Sequence, residues 1–263
     1  SQTQRSRPWE IPARPLARML CLASPLLQNR QRSQQSPSQH AKRLQKRTRK
    51  ITVEKTGNEL VALLKEYEEL QKNNPKLNPK RRKRLFQYGV FDRVNTAGYI
   101  ELYIHRTTTT TNCICTFNSL KSAKNYLAKL TQTYTLCDKI NGISASKTNC
   151  GNYEDGKCNG ACIAKEEATT YNLRAQSAID ENSLSEKNIV ILDKGREIGE
   201  QSAILIKNGV FQGVGYIKLN HQINNIHILE TLITKMRADD NTHHLISSYL
   251  RKQKGLKIIE LKD

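Results

Sequence analysis

Aromatic residues are scarce in this chain, with four Phe and one Trp among 263 residues and an aromatic content of 6%. With 37% hydrophobic residues, one or two domains with modest cores are expected. No run approaches the roughly 20 apolar residues of a membrane span, so a transmembrane protein is not expected. A convincing secretory leader is also missing, since MLCLASPLL is too short and too broken to serve as one. Together with an odd count of seven cysteines, this favours a reducing, cytoplasmic compartment over a disulfide framework. The chain begins at Ser1 rather than Met, which suits a fragment boundary. Acids are in deficit: 24 Asp and Glu face 43 Lys and Arg, for a formal charge of +19 and a pI near 9.7. That balance points to a polyanion, nucleic acid first and an anionic membrane surface second.

Residues 1–40 hold a single acid, Glu10, and no helical or strand period. Their Gln, Ser, Arg and Pro content reads as disorder, and the segment is a candidate for non-native sequence. An Arg-rich, acid-poor start also suits a mitochondrial transit peptide, although it forms no clean amphipathic helix. Order is expected to begin with a short strand at 51–54, then a helix starting near Asn58, a good N-cap residue. Leu60, Leu63, Leu64 and Leu70 give that helix an apolar face, and Pro75 and Pro79 are expected to end it. FQYGVFDRVNTAGYIELYIHR alternates around Asn95–Gly98 and predicts a hairpin. FNSLKSAKNYLAKLTQTY returns to helical spacing, and a second helix is expected over 165–179. After a linker at ENSLSEKN, NIVILDK, AILIKNGVFQGVGYIKL and LKIIEL predict strands, while HILETLITKM and THHLISSYLRK predict helices. There is no internal repeat. The glycines of KNGVFQGVGY lack a strand–turn–helix setting, so they read as a hairpin and not a phosphate loop. His243 and His244 follow Asp239 and Asp240, but a helix start capped by Asn241 or Thr242 explains them more simply than a metal.

Four of the seven cysteines fall within CDKINGISASKTNCGNYEDGKCNGAC, at Cys137, Cys150, Cys158 and Cys162. Their C-x12-C-x7-C-x3-C spacing departs from zinc knuckles, in which C-x2–4-C pairs are usual. Uneven spacing also suits an iron–sulfur cluster, and Gly151, Gly156 and Gly160 would let the backbone bend around one. Spacing alone leaves a cluster, a zinc ion and unligated buried thiols open. Cys21, Cys113 and Cys115 lie in other segments and read as structural or incidental.

GKCNGACIAKEE, with Cys150 seven positions upstream and LCDK before it, resembles the cysteine region of UvrC-type excision-repair nucleases. The resemblance extends to Cho-type nucleases and to fusions of a polymerase III epsilon-type exonuclease with a UvrC-like half. It implies a [4Fe–4S] cluster on Cys137, Cys150, Cys158 and Cys162, with zinc as the alternative. TGNELVALLKEYEELQKNNPKLN is similar to the closing helix of the GIY-YIG nuclease domain. That similarity implies Glu66 as the ligand of a divalent metal, Mg2+ or Mn2+, with Asn78 as a further catalytic residue. Phosphodiester hydrolysis uses a hard cation to offset charge on the phosphate, and a carboxylate is its natural ligand. The family's two tyrosine-bearing strands and its arginine should precede this helix, yet residues 1–50 contain no tyrosine. This implies a truncated or frameshifted product, or a chain that kept the scaffold and lost cleavage, so efficient cutting is not expected.

Two basic clusters carry the DNA-binding expectation. Lys42, Arg43, Lys46, Arg47, Arg49 and Lys50 form one; Lys80, Arg81, Arg82, Lys83 and Arg84 form the other, beside Asn78. Neither accompanies a groove-reading motif, so binding should be salt-dependent and without sequence preference. The fold class expected is α+β. It comprises a partial GIY-YIG-type α/β domain (41–84), a hairpin plus helix (85–135), the four-cysteine segment with its following helix (136–183) and a C-terminal α+β unit (187–263). By resemblance the function is that of a UvrC-like nucleotide-excision-repair endonuclease, incomplete in this chain, with DNA and damage-recognition or replication proteins as partners. The alternatives are a non-catalytic DNA-binding module with a structural metal site and an accessory part of a polymerase III epsilon-type exonuclease.

Overall fold

The computed structural model describes residue 46 and residues 52–75, 84–146, 150–218, 226–253 and 255–261. Helix α1 (Glu59–Asn73) starts where its cap is best placed. Asn58 is extended, and its Oδ1 accepts from the Val61 N–H at 3.0 Å. The helix ends where Pro75 was expected to stop it: Asn74 turns left-handed at φ 39°, its N–H closes on the Leu70 carbonyl, and Pro75 follows at once. Residues 52–56 are unpaired, so the strand expected over 51–54 does not form at the positions described.

The first sheet has the order β2-β1-β3 and is antiparallel throughout. β1 (Tyr88–Val94) and β2 (Ile100–Arg106) form the hairpin that the alternation predicted. Asn95 fixes its turn, with Oδ1 accepting from the N–H groups of Ala97 and Tyr99, each at 3.0 Å. β3 (Cys115–Phe117) is a three-residue strand with no period long enough to betray it. Helices α2 (Leu120–Thr133) and α4 (Ala168–Asn182) pack against this sheet and share a core with Val90, Leu102, Cys115 and Tyr171. Between them lie the one-turn helix α3 (Gly151–Glu154) and a 3-10 turn at Ala161–Ile163.

The second sheet is five-stranded and antiparallel, in the order β7-β6-β5-β4-β8. It comprises β4 (Ile189–Lys194), β5 (Glu200–Lys207), β6 (Val210–Lys218), β7 (Ile233–Lys235) and β8 (Lys257–Glu260). The turn from β5 to β6 uses Asn208 and Gly209 at φ 47° and 73°, the paired positive angles that a two-residue hairpin demands. Alternation divides the strands between two faces. Ile189, Ile191, Ile204, Ile206 and Val214 pack with Leu60, Val61 and Leu64 of α1 and with Ile246 and Tyr249 of α6 (Asp240–Lys252). Val190, Leu192, Ala203, Leu205 and Ile217 face the other way, with Leu229 of α5 (Ile226–Leu232). Helix α1, from the 41–84 stretch, therefore shares its core with the C-terminal sheet.

HILETLITKM was expected to be one helix, but its second half is strand β7. The reason lies opposite, on β6. A Cβ on Gly213 would stand 2.1 Å from the Thr234 oxygen, and one on Gly215 would stand 2.6 Å from the Leu232 oxygen. Two glycines permit a backbone approach that any side chain would block. The cap of α6 also differs from expectation: Asp239 caps it, accepting from the Asn241 and Thr242 N–H groups, and Thr242 completes a capping box.

Candidate metal centre

Each cysteine of the 137–162 segment is placed by a different local device. Cys137 follows α2, and Asn141 anchors its loop. The buried Asn141 side chain donates to the Cys137 carbonyl at 2.9 Å and to the Tyr171 hydroxyl at 3.0 Å, while its Oδ1 accepts from the Leu102 N–H at 2.7 Å. One amide thus ties the cysteine loop to β2 and α4. Cys150 stands at the N-cap of α3. Cys158 accepts a hydrogen bond from the Gly160 N–H at 3.4 Å, and Cys162 lies in the 3-10 turn. Gly156 and Gly160 are left-handed at φ 69° and 85°, as a bending loop requires, whereas Gly151 is helical. A Cβ on Gly160 would also press on the Tyr153 ring at 2.9 Å.

Three of the four thiols converge. The Sγ atoms of Cys137, Cys150 and Cys162 all lie within 4.8 Å of one another, and Cys137 to Cys150 is 3.7 Å. Cys158 lies outside that group of three, although it is near enough for its charge to raise the Cys137 thiol. Cys137, Cys150 and Cys158 are buried, Cys162 is half-buried, and all are free thiols. Burial pushes the Cys137 thiol well above its ordinary range. At Cys150 burial also pushes upward, but hydrogen bonds from Cys158, Cys137 and Cys162 outweigh it and leave the thiol below its ordinary value. The centre therefore holds one sulfur biased toward thiolate, the form that binds metal, among three further donors. Among the described residues, this is the one group of three or more ligating side chains close enough to hold an ion.

A second layer escaped the sequence reading. Arg174 donates from Nη1 to Glu166 Oε1 at 2.5 Å, from Nε to the Tyr134 carbonyl at 3.1 Å and from Nη2 to the Thr135 carbonyl at 3.2 Å. Asn159, between Cys158 and Cys162, donates to the same Glu166 oxygen at 3.3 Å. The segment after Cys162 is thereby bound to the turn before Cys137. Nothing in the sequence flags Asn141, Glu166 or Arg174, because charged and amide residues at such spacing are usual on helix surfaces.

Residues 90–181 match the family model of the UvrC/Cho excinuclease middle domain. The matched stretch takes in nearly all of the first sheet and its two helices and all four cysteines, and stops before β4. No curated protein and no solved structure matches the chain. The UvrC/Cho-like part is thus the middle of the molecule, and the candidate metal centre lies within it.

The remaining site residues fall outside that stretch. Glu66 is buried on α1, 8% exposed, and belongs to no group of three ligating side chains among the described residues. Asn78 lies outside the described residues, as do Arg47, Arg49, Lys50, Lys80, Arg81, Arg82 and Lys83. Lys46 and Arg84 are exposed. Cys113 and Cys115 are buried, and burial pushes both thiols up to about 12. His244 is buried with Nδ1 against the Thr116 hydroxyl at 2.9 Å, a packing role. Among the described residues, no helix is long and apolar enough to cross a membrane.

Proposed function

We propose that the chain is a UvrC-like DNA-repair protein of the nucleotide-excision type. It binds DNA without sequence preference, and Cys137, Cys150, Cys158 and Cys162 hold a [4Fe–4S] cluster. The convergence of Cys137, Cys150 and Cys162 inside the stretch similar to the UvrC/Cho middle domain supports the reading, with Cys158 proposed as the fourth ligand. In a complete nuclease of this kind, Glu66 would hold Mg2+ or Mn2+ beside Asn78, and phosphodiester incision would follow. Residues 1–58 contain no tyrosine to stand beside Glu66 in such a site, and inefficient cleavage by these 263 residues is part of the proposal. The deciding experiment is iron and acid-labile sulfide analysis of anaerobically purified protein, wild type against Cys150→Ser. Four irons and four sulfides per chain, lost in the variant, support the reading. Robust Mg2+-dependent nicking of a lesion-bearing duplex, abolished by Glu66→Gln, would reverse the conclusion on cleavage.

A second reading is favoured by one distance. A single zinc with Zn–S bonds of about 2.3 Å places its sulfurs roughly 3.8 Å apart, close to the 3.7 Å between Cys137 and Cys150. A cubane seats each thiolate on a separate iron and needs a wider cage. One zinc per chain without sulfide would make the protein a non-catalytic DNA-binding module with a structural zinc site.

A further inference from the structure

A cleft of about 450 Å³ opens where α6 meets β3 and the start of α2, on the joint between the two sheets. No carboxylate lines it; its polar lining comes from Thr116, Asn118, Ser122, His244, Ser248, Arg251 and Lys252. Arg251 is its centre. The guanidinium carbon sits 4.6 Å from the Phe117 ring centroid and 5.6 Å from that of Tyr126, which fixes its plane. Nη2 donates to the Thr116 carbonyl at 2.8 Å, but Nη1 is buried and has no hydrogen-bond partner. No acid among the described residues forms an ion pair with Arg251. Arg251 is half-buried and has no acid beside it, and a partly desolvated charge with an idle donor is costly unless an acceptor is supplied.

We propose that this cleft binds a phosphoryl group, with Arg251 as the anchoring cation and Lys252, Ser248 and Asn118 as further donors at its mouth. A planar guanidinium braced on aromatic faces suits a tetrahedral oxyanion. The volume falls in the range of small-ligand pockets and leaves room for the sugar attached to the phosphate. A nucleotide and a phosphorylated nucleic-acid end present the same chemistry. The proposal does not depend on the centre at Cys137–Cys162, which lies elsewhere in the fold.

The test uses the full chain and two probes, inorganic phosphate and a short 5′-phosphorylated single strand compared with its 5′-hydroxyl counterpart. Binding is followed by calorimetry at constant ionic strength. Two variants separate binding from folding. Arg251→Gln removes the charge, while Ser248→Glu keeps Arg251 and places a carboxylate in the cleft to compete for it. Arg93→Gln, on β1 and paired with Glu101, removes an equal charge far from the cleft. Phosphate affinity should fall at least tenfold in both cleft variants and stay unchanged in Arg93→Gln. A preference for the phosphorylated strand, lost in the cleft variants, assigns the site to nucleic-acid ends; phosphate binding without that preference assigns it to a free nucleotide or phosphate. Equal affinity in wild type and both cleft variants, or an equal loss in Arg93→Gln, overturns the proposal.

Discussion

His244 sits against the Phe86 ring at a centroid distance of 5.3 Å and hydrogen-bonds Thr116, enclosed on the inner side of α6. Burial first, then the positive charges of Arg251, His243 and Lys252, push its imidazole down to about 4. The ordinary value is about 6.5, so as pH falls the unfolded chain takes up the proton first. Stability that depends on neutral His244 is therefore complete above pH 6.5 and disappears on the way down to about 4. Urea titrations at pH 7 and pH 5 should show wild type losing about 2 kcal/mol more than His244→Phe over that interval. Equal losses would show that the imidazole is not held neutral by the fold. The sequence placed this histidine at a helix start and assigned it no metal, but only the packed structure shows that it faces inward. The same holds at Asn141, an unremarkable letter in KINGIS whose amide joins the Cys137 loop to β2 and α4.

At the scale of elements, α1 is held by its N-cap residue as much as by its apolar face. Asn58 caps the helix and also donates from Nδ2 to the Lys194 carbonyl at 2.8 Å and to the Ser202 hydroxyl at 2.7 Å. Asn58→Ala should cost about 2–3 kcal/mol, of which the cap alone is about 1 kcal/mol. Asn58→Ser restores the cap acceptor without the reach to β4 and β5, so it should recover only about 1 kcal/mol in urea unfolding. Full recovery by serine would mean that the ties to the sheet contribute nothing. This start was legible, because an Asn before a periodic run is a strong local signal. The first hairpin, α2, β4 to β6, α6 and β8 were legible for the same reason: each carries its own period or turn residues. Strands β3 and β7 were not, being three residues long, and β7 forms where Gly213 and Gly215 leave room for it. The resemblance, and not the spacing alone, pointed to a shared site, of which Cys137, Cys150 and Cys162 are found together. The distances among them, and the Glu166–Arg174 tie behind them, come from loops whose path no periodicity records.

For the molecule as a whole, a net charge of +19 should dominate its behaviour toward DNA. If six phosphates are neutralised, raising salt from 50 to 200 mM should weaken duplex binding roughly a thousandfold. Affinity that is flat across that range, measured by fluorescence anisotropy, would argue that the basic clusters stay solvated. The two sheets meet through α6. From that helix Asp240 accepts from the Thr110 N–H at 2.8 Å, Asn241 accepts from the Leu85 N–H at 2.9 Å, and Arg251 reaches Thr116. The partners of this helix at β3 and at α1 are made far earlier in synthesis. On the ribosome, the earlier sheet must therefore wait with one flank bare until residues 240–252 emerge. Nascent chains stalled before that point should be more open to protease near residues 107–118 than chains released with α6 in place.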